Sequence, residues 1–141
     1  MSREIAAPGP VRAAGALVTV QGIAAVVVAV VTVVLGLSGG APALVAFGEA
    51  GVYVVIAAAF LVPGILLWRG TRGARNGAVF LQLLVLGGIW WGFDPIDSLA
   101  VDILFTAYCL AVLVLLLFLA SSRAWAMGIT EEDGATPEPR P

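Results

Sequence analysis

Residues 13–37 read AAGALVTVQGIAAVVVAVVTVVLGL and contain no charged side chain. A helix that crosses the hydrocarbon core of a bilayer needs about 20 apolar residues, and this run is longer than that. Arg3 and Arg12 resemble the basic start of a signal peptide, and Ala41-Pro42-Ala43 resembles a cleavage site. The apolar region of a signal peptide has only about 7–15 residues, however, so the run predicts an uncleaved membrane span.

The composition of the whole chain agrees with this prediction. Of its 141 residues, 61% are hydrophobic and 11% are charged, and the mean hydropathy is +1.07. An ordinary soluble domain is about 45–50% apolar and about 25% charged. Because a water-soluble fold of this size could not bury so much apolar surface, the composition indicates an integral membrane protein. It excludes a soluble enzyme, a nucleic-acid-binding protein and a disordered chain.

Three further apolar runs follow the first. The predicted spans cover residues 13–37, 51–68, 77–93 and 99–120, and the third, of about 17 residues, is at the lower limit for crossing the hydrocarbon core. The sequence therefore predicts an all-α, membrane-embedded four-helix bundle with short loops over residues 13–123. Residues 1–12 form the predicted cytoplasmic N-terminal segment. Residues 124–141 form a cytoplasmic tail that we expect to be mostly disordered, because its last part is rich in acidic residues and proline.

The sidedness follows from arginine, the only basic residue type in the chain. Arginine occurs before the first span, between the second and third spans, and after the fourth, at Arg3, Arg12, Arg69, Arg72, Arg75 and Arg123. Residues 38–50 and 94–98, which form the other two connections, contain none. Since an excess of arginine marks the cytoplasmic side, we predict a multi-pass plasma-membrane protein with both termini in the cytoplasm. Three spans with one re-entrant run would instead place Arg123 outside.

Aromatic residues occur near the same predicted boundaries. Trp68 and Trp125 are expected at the inner interface, where amphipathic rings prefer headgroup depth. The outer interface is expected to hold Phe47, Tyr53, Trp90, Trp91 and Phe93. The basic loop of Arg69, Arg72 and Arg75 is explained by topology and by contact with anionic headgroups. It lacks the Lys-Ser/Thr pair of a phosphate-binding loop.

Two glutamines lie inside the predicted spans. Gln21 follows Arg12 by nine residues and Gln82 follows Arg75 by seven, so both amides lie about 10–14 Å from the cytoplasmic boundary. The first and third spans run parallel, so equal residue counts give equal depth. A buried amide needs a hydrogen-bond partner. We expect Gln21 and Gln82 to meet as interhelical contacts or to share a central polar layer. Two alternatives remain open: the amides contact a substrate, or each amide forms its hydrogen bonds separately with water or with the backbone.

Asp102 is the third candidate for an intramembrane polar contact. Its spacing to Thr106 and Cys109 places the three side chains on one helix face. Asp102 lies near the outer start of its span, where it could be a solvated helix-start residue, an ion or proton site, or a partner contact. Glu49, Asp94 and Asp97 add carboxylates on the outer side that could bind a divalent cation. The stretch from Asp94 to Ser98 also has the pattern of a turn followed by a helix cap.

Two further local patterns concern helix shape and packing. Pro63 lies within the second span and predicts a kink there. Small residues at helical spacing predict close helix contacts at Gly15 with Gly22 and at Ala25 with Ala29, and the adjacent pair Gly87 and Gly88 predicts the same in the third span.

Two stretches resemble a group of small four-span integral membrane proteins of actinobacteria. One is ALVTVQGIA at residues 16–24, and the other is RGARNGAVFLQLL at residues 72–84. The second resembles that group's pattern of Arg, aromatic, Ala, Arg, followed by Ala-Val and Gln-Leu-Leu. This chain differs in having Gly73 at the usual aromatic position and Gly77 where proline is common. The resemblance covers the first three spans loosely. It implies the four-span topology and no established activity.

The sequence contains few groups that could carry chemistry. It has no histidine and a single cysteine, Cys109, and no nucleophile–base pair or metal-ligand cluster is visible. We therefore expect a non-enzymatic accessory, assembly or structural component of the cell envelope, with no cofactor. The alternative is a small oligomeric transporter or channel. The expected partners are the lipid bilayer and, as candidates, other membrane proteins or further copies of the chain, but not nucleic acid.

Overall fold

The computed structural model describes residues 7–91 and 98–128. Every regular element in these ranges is an α-helix, which confirms the predicted all-α class. In chain order the helices are α1 (Gly9–Ser38), α2 (Ala43–Trp68), α3 (Ala74–Trp91), α4 (Leu99–Leu117) and α5 (Ala120–Met127). Of the predicted tail, residues 124–141, the stretch 129–141 lies outside the described residues.

Three of the described helices, α1, α2 and α4, are long and apolar enough to cross a membrane. At a rise of 1.5 Å per residue, α1 is about 45 Å long and α2 about 39 Å. Helix α3 is not among the three. Its first turn carries Arg75 and Asn76 and its middle carries Gln82, and these residues lower its average hydropathy.

The turn between α1 and α2 is shorter than predicted. We expected residues 38–50 to form the connection, but α2 begins at Ala43 and only residues 39–42 lie between the helices. Pro42 occupies the N-cap position, where a missing N–H and a fixed φ are compatible with a helix start. Gly40 has a φ of 78°, which glycine adopts at little cost. Gly48 and Glu49 continue α2 as ordinary helical residues.

Helices α1 and α2 pack as an antiparallel pair along a seam of small residues. A Cβ atom built on Gly15 would lie 2.9 Å from the Gly64 carbonyl oxygen, and one on Gly22 would lie 2.9 Å from the backbone nitrogen of Leu61. Farther along, a Cβ on Gly36 would lie 3.0 Å from the Cβ of Ala46. The two backbones therefore approach closely over most of their length, as the Gly15 and Gly22 spacing predicted.

Helices α3 and α4 complete a ring of contacts with the α1–α2 pair. Helix α2 contacts α3, α3 contacts α4, and α4 contacts α1. Bonds at the two ends of α3 show that it runs antiparallel to α4, since Arg75 reaches Leu116 and Trp90 reaches Thr106. The hydrophobic core draws on every helix and lies towards the end that holds the start of α1 and the end of α4; its members include Val11, Val18, Phe60, Leu67, Ala78, Val112, Leu116 and Trp125.

The end of the molecule that holds the start of α1 and the end of α4 is called the arginine end, because it carries Arg12, Arg69, Arg72, Arg75 and Arg123. The other end, with the residues 39–42 turn and Ser98, is called the turn end. Towards the turn end, the buried residues of the α1–α2 pair are small side chains of the seam, such as Ala29, Ala46 and Ala50. The valines and leucines around them are exposed.

A short fifth helix was not predicted. We expected the fourth span to continue to residue 120 and the tail to begin at residue 124, but α4 ends at Leu117 and α5 occupies Ala120–Met127. Leu119 has an extended backbone, with φ −71° and ψ 131°, which separates the two helices. Helix α5 ends at Gly128, whose φ of 76° is the left-handed conformation typical of a helix C-terminus.

Candidate functional site

The two glutamines predicted to meet are hydrogen-bonded to each other. The Nε2 of Gln82 donates to the Oε1 of Gln21 over 2.6 Å, and the Nε2 of Gln21 lies 3.4 Å from the Oε1 of Gln82. Gln82 is fully buried and Gln21 is half-buried. A reciprocal amide pair satisfies a donor and an acceptor on each side chain at once, which offsets the cost of placing both in an apolar interior.

Helix α4 adds two polar side chains that contact α1. Cys109 is fully buried and is in side-chain contact with Gln21. The adjacent Tyr108 donates its hydroxyl hydrogen to the carbonyl oxygen of Leu17 over 2.7 Å. We call Gln21, Gln82, Tyr108 and Cys109 the polar layer. It links α1 to α3 and α1 to α4.

Asp102 and Thr106 lie on the same helix face as Cys109, nearer the turn end. Both are half-buried, whereas Cys109 is fully buried, so the face that the spacing predicted turns inward as it approaches the polar layer. Thr106 accepts a hydrogen bond of 3.2 Å from the indole Nε1 of Trp90 on α3. Asp102 lies in the first turn of α4, where a negative charge interacts favourably with the helix dipole.

The turn-and-cap pattern falls mostly outside the described residues. Asp94, Pro95 and Asp97 lie in the undescribed range 92–97. Ser98 occupies the N-cap position of α4, but its side chain makes no capping hydrogen bond. Its carbonyl oxygen instead accepts backbone hydrogen bonds from Val101 and Asp102. Within residues 7–91 and 98–128, no group of three or more potential metal-binding side chains occurs.

At the arginine end, two side chains bind the last carbonyls of α4. Because α4 ends at Leu117, the carbonyl oxygens of Leu115 and Leu116 lack helical partners. Arg75 of α3 donates from Nε to the carbonyl oxygen of Leu116 over 3.0 Å, and Ser122 of α5 donates from Oγ to that of Leu115 over 2.6 Å. The positive charge of Arg75 also complements the negative end of the α4 dipole.

The other arginines occupy the surface of the same end. The guanidinium of Arg12 lies over the ring of Trp68, with Cζ 4.8 Å from the ring centroid. Arg72 lies against Gly128, where an added Cβ would be 3.2 Å from Nη1. Arg69 and Arg123 are exposed. Of the predicted basic loop, Arg75 is therefore a packing residue, while Arg69 and Arg72 form exposed surface.

Two expectations about packing were wrong. Trp125 was expected at a lipid interface, but it is buried in the hydrophobic core, because α5 packs back against α1 and α4. Gly87 and Gly88 were expected to mark a close helix contact, but a Cβ on either would meet nothing within 4 Å. Pro63 lies buried inside α2, so its position within a helix is as predicted, and the kink stays a prediction.

Sequence reasoning missed the contributions of Tyr108, Arg75 and Ser122. Tyr108 lies one residue before Cys109 in an otherwise apolar run. A tyrosine at such a position could have indicated a buried hydroxyl that needs a hydrogen-bond partner. The roles of Arg75 and Ser122 depend on where α4 ends, and no glycine or proline marks that point in the sequence.

The buried polar side chains of the described residues are bonded within the chain. No buried side-chain nitrogen or oxygen atom in the described ranges lacks a hydrogen-bond partner. The polar layer can therefore hold helices together in a fixed register. Compared with known protein families, with curated proteins and with solved structures, the chain has no significant match in any of the three.

Proposed function

We propose that this chain is a four-span protein of the plasma membrane that acts as a non-enzymatic accessory, assembly or structural component of the cell envelope. Both termini lie in the cytoplasm in this proposal. Helices α1 to α4 form the membrane-embedded bundle, and membership of the actinobacterial four-span group is part of the same proposal.

The fourth span rests on the contacts of α3. This helix is about 27 Å long, close to the roughly 30 Å of a hydrocarbon core. Arg75 joins one end of α3 to the end of α4, and Trp90 joins its other end to the first part of α4. If α4 crosses the bilayer, α3 runs beside it over the same depth. The pairing of Gln82 with Gln21 removes the main obstacle to placing α3 in lipid.

The orientation rests on the grouping of the arginines. Arg12, Arg69, Arg72, Arg75 and Arg123 come from four separate parts of the fold and lie at one end. The acidic residues of the described ranges are Glu49 and Asp102, which lie in the parts of α2 and α4 nearest the turn end. The positive-inside rule then places the arginine end in the cytoplasm.

The role in assembly is carried by one observation. In the half near the turn end, α1 and α2 bury little beyond their shared seam, and they expose apolar side chains such as Val30 (58% exposed) and Val55 (69% exposed). The buried polar side chains of the described ranges, by contrast, bond within the chain. The exposed apolar faces of α1 and α2 are therefore available to pack against the helices of a neighbouring protein. Helix packing in lipid depends on close surface fit.

Site-specific photocrosslinking in intact cells tests this role. A photoreactive benzoylphenylalanine replaces Val30 or Val55, with Phe80 on α3 (64% exposed) as the control position. We expect adducts with a different polypeptide from the first two positions and not from Phe80. Adducts with a second copy of the chain, together with ion flux in liposomes, would support the transporter alternative instead. The absence of protein adducts at all three positions would contradict the proposal.

A further inference from the structure

A groove runs between α1 and α2 on the outside of the molecule at the arginine end. It is lined by Ala16, Thr19, Ile65, Trp68 and Arg69. The groove lies beside the seam where Gly15 and Gly64 bring the two backbones together. Thr19 donates its hydroxyl hydrogen to the Gly15 carbonyl oxygen over 2.8 Å, so its polar atom is already engaged within α1. The walls of the groove are therefore mainly apolar.

The rim of this groove is positively charged. Arg69 belongs to the lining, and the guanidinium of Arg12 lies over Trp68, another lining residue. Both arginines are exposed. The carboxylates of the described ranges, Glu49 and Asp102, lie in the other half of the molecule, so neither neutralises these two charges. An apolar groove with a cationic rim matches a molecule that has a negative head and a hydrocarbon tail.

We infer that this groove binds an anionic phospholipid of the leaflet at the arginine end. The headgroup phosphate lies between Arg12 and Arg69, and one acyl chain lies along Ala16, Thr19 and Ile65. The distance along α1 from Arg12 to Thr19 is about 10 Å, which accommodates the first part of an acyl chain. Trp68 lies at the level of the headgroup, where an amphipathic ring is stable. The inference rests on the proposed membrane placement and is independent of any protein partner.

Native mass spectrometry of the purified full chain tests this site. The protein is exchanged into micelles that contain equal amounts of phosphatidylglycerol and phosphatidylcholine, and the retained lipids are counted. Arg12→Gln and Arg69→Gln each remove one guanidinium from the rim. Arg123→Gln is the matched control, because it removes the same charge from an exposed position on α5 at the same end. Ala16→Phe fills the groove without changing any charge.

We expect the wild-type chain to retain one phosphatidylglycerol in preference to phosphatidylcholine. Each rim substitution should lower that preference about fivefold, corresponding to about 1 kcal/mol per arginine near a membrane surface. Ala16→Phe should abolish retention, and Arg123→Gln should leave it unchanged. Equal retention of the two lipids by the wild type would overturn the inference. A loss with Arg123→Gln as large as with Arg12→Gln would also overturn it, because diffuse surface charge would then explain the binding.

Discussion

The arginine end and the turn end of this molecule are held together in different ways. At the arginine end, side chains cross between helices that are distant in sequence, as Arg75 does to Leu116 and Ser122 does to Leu115. Towards the turn end, α1 and α2 meet through small side chains such as Ala29 and Ala46, with exposed apolar residues around them. The polar layer lies between these two regions.

The difference shows where each region obtains its stability. In lipid, apolar side chains gain little from leaving the solvent, so close packing and interhelical hydrogen bonds have to hold the helices together. The arginine end uses both, since it has a core and directed bonds. In the half near the turn end, close packing along the seam holds α1 to α2, and an exposed hydrogen bond from Trp90 to Thr106 joins α3 to α4. The outer apolar faces of α1 and α2 there are left for lipid or protein neighbours.

The largest effect is expected from closing the space in the seam. A Cβ on Gly64 would lie 2.5 Å from the Oγ1 of Thr19 and 2.8 Å from its backbone nitrogen, so Gly64→Ala must push α1 and α2 apart. We expect it to lower the free energy of unfolding by about 3 kcal/mol, measured by titration of the micellar protein with sodium dodecyl sulfate.

Gly87→Ala is the matched control for this change. A Cβ there meets nothing within 4 Å, and both substitutions bring the same gain in helix propensity, about 0.5–1 kcal/mol. The control should leave stability unchanged or slightly raised. Equal losses for the two variants would show that the seam is not the site of the closest packing.

This contrast between two glycines also shows which features of the fold could be predicted from the sequence. Hydropathy predicted the membrane class and the approximate helices, because uncharged apolar runs of that length are typical of helices that cross a bilayer. The spacing of Gly15 and Gly22 predicted a close contact, but the same argument failed at Gly87 and Gly88. A small residue permits close approach, and whether a neighbouring helix is present depends on the packing of the whole chain.

The depth argument for the glutamines was more informative, because it used two positions counted from two basic boundaries. It predicted the contact between Gln21 and Gln82, which the structure contains. The end of α4 and the existence of α5 could not be predicted in this way. Phe118 and Leu119 are apolar and continue the hydrophobic run, so nothing in the sequence marks the break. The carbonyl oxygens that the break leaves without helical partners are bonded by Arg75 and Ser122.

The second prediction concerns the polar layer. Gln82→Leu leaves the amide of Gln21 without its partner, and we expect a loss of about 1–2 kcal/mol in the free energy of unfolding. Adding Gln21→Leu removes both amides, so the double variant should be less destabilised than the sum of the two single variants. Strict additivity in this double-mutant cycle would show that the two amides do not stabilise each other.

The third prediction concerns the link between α5 and α4. Ser122→Ala removes the hydrogen bond to the Leu115 carbonyl oxygen and should cost about 1 kcal/mol. Ser121→Ala, at the neighbouring exposed position, is the control and should change stability by less than about 0.5 kcal/mol. The same unfolding titration compares the two. If both variants match the wild type, the bond to Leu115 contributes nothing to holding α5 in place.

The smallest effect is expected nearer the turn end. Trp90→Phe removes the exposed hydrogen bond to Thr106 and should cost about 0.5 kcal/mol. Trp91→Phe provides the control, because Trp91 is the next residue and is 85% exposed. A loss of more than about 2 kcal/mol from Trp90→Phe would mean that this half depends on directed bonds as much as the arginine end does.

The central claim is that α3 crosses the membrane with α1, α2 and α4 and that the arginine end is cytoplasmic. Cysteine accessibility tests it most directly, with Ser38→Cys, Ser98→Cys and Ser121→Cys introduced one at a time into a Cys109→Ala chain. In intact cells, a membrane-impermeant maleimide should label the cysteines at positions 38 and 98 and leave that at position 121 unlabelled until the cells are opened. Labelling at position 121 in intact cells, with protection at position 98, would contradict the four-span account.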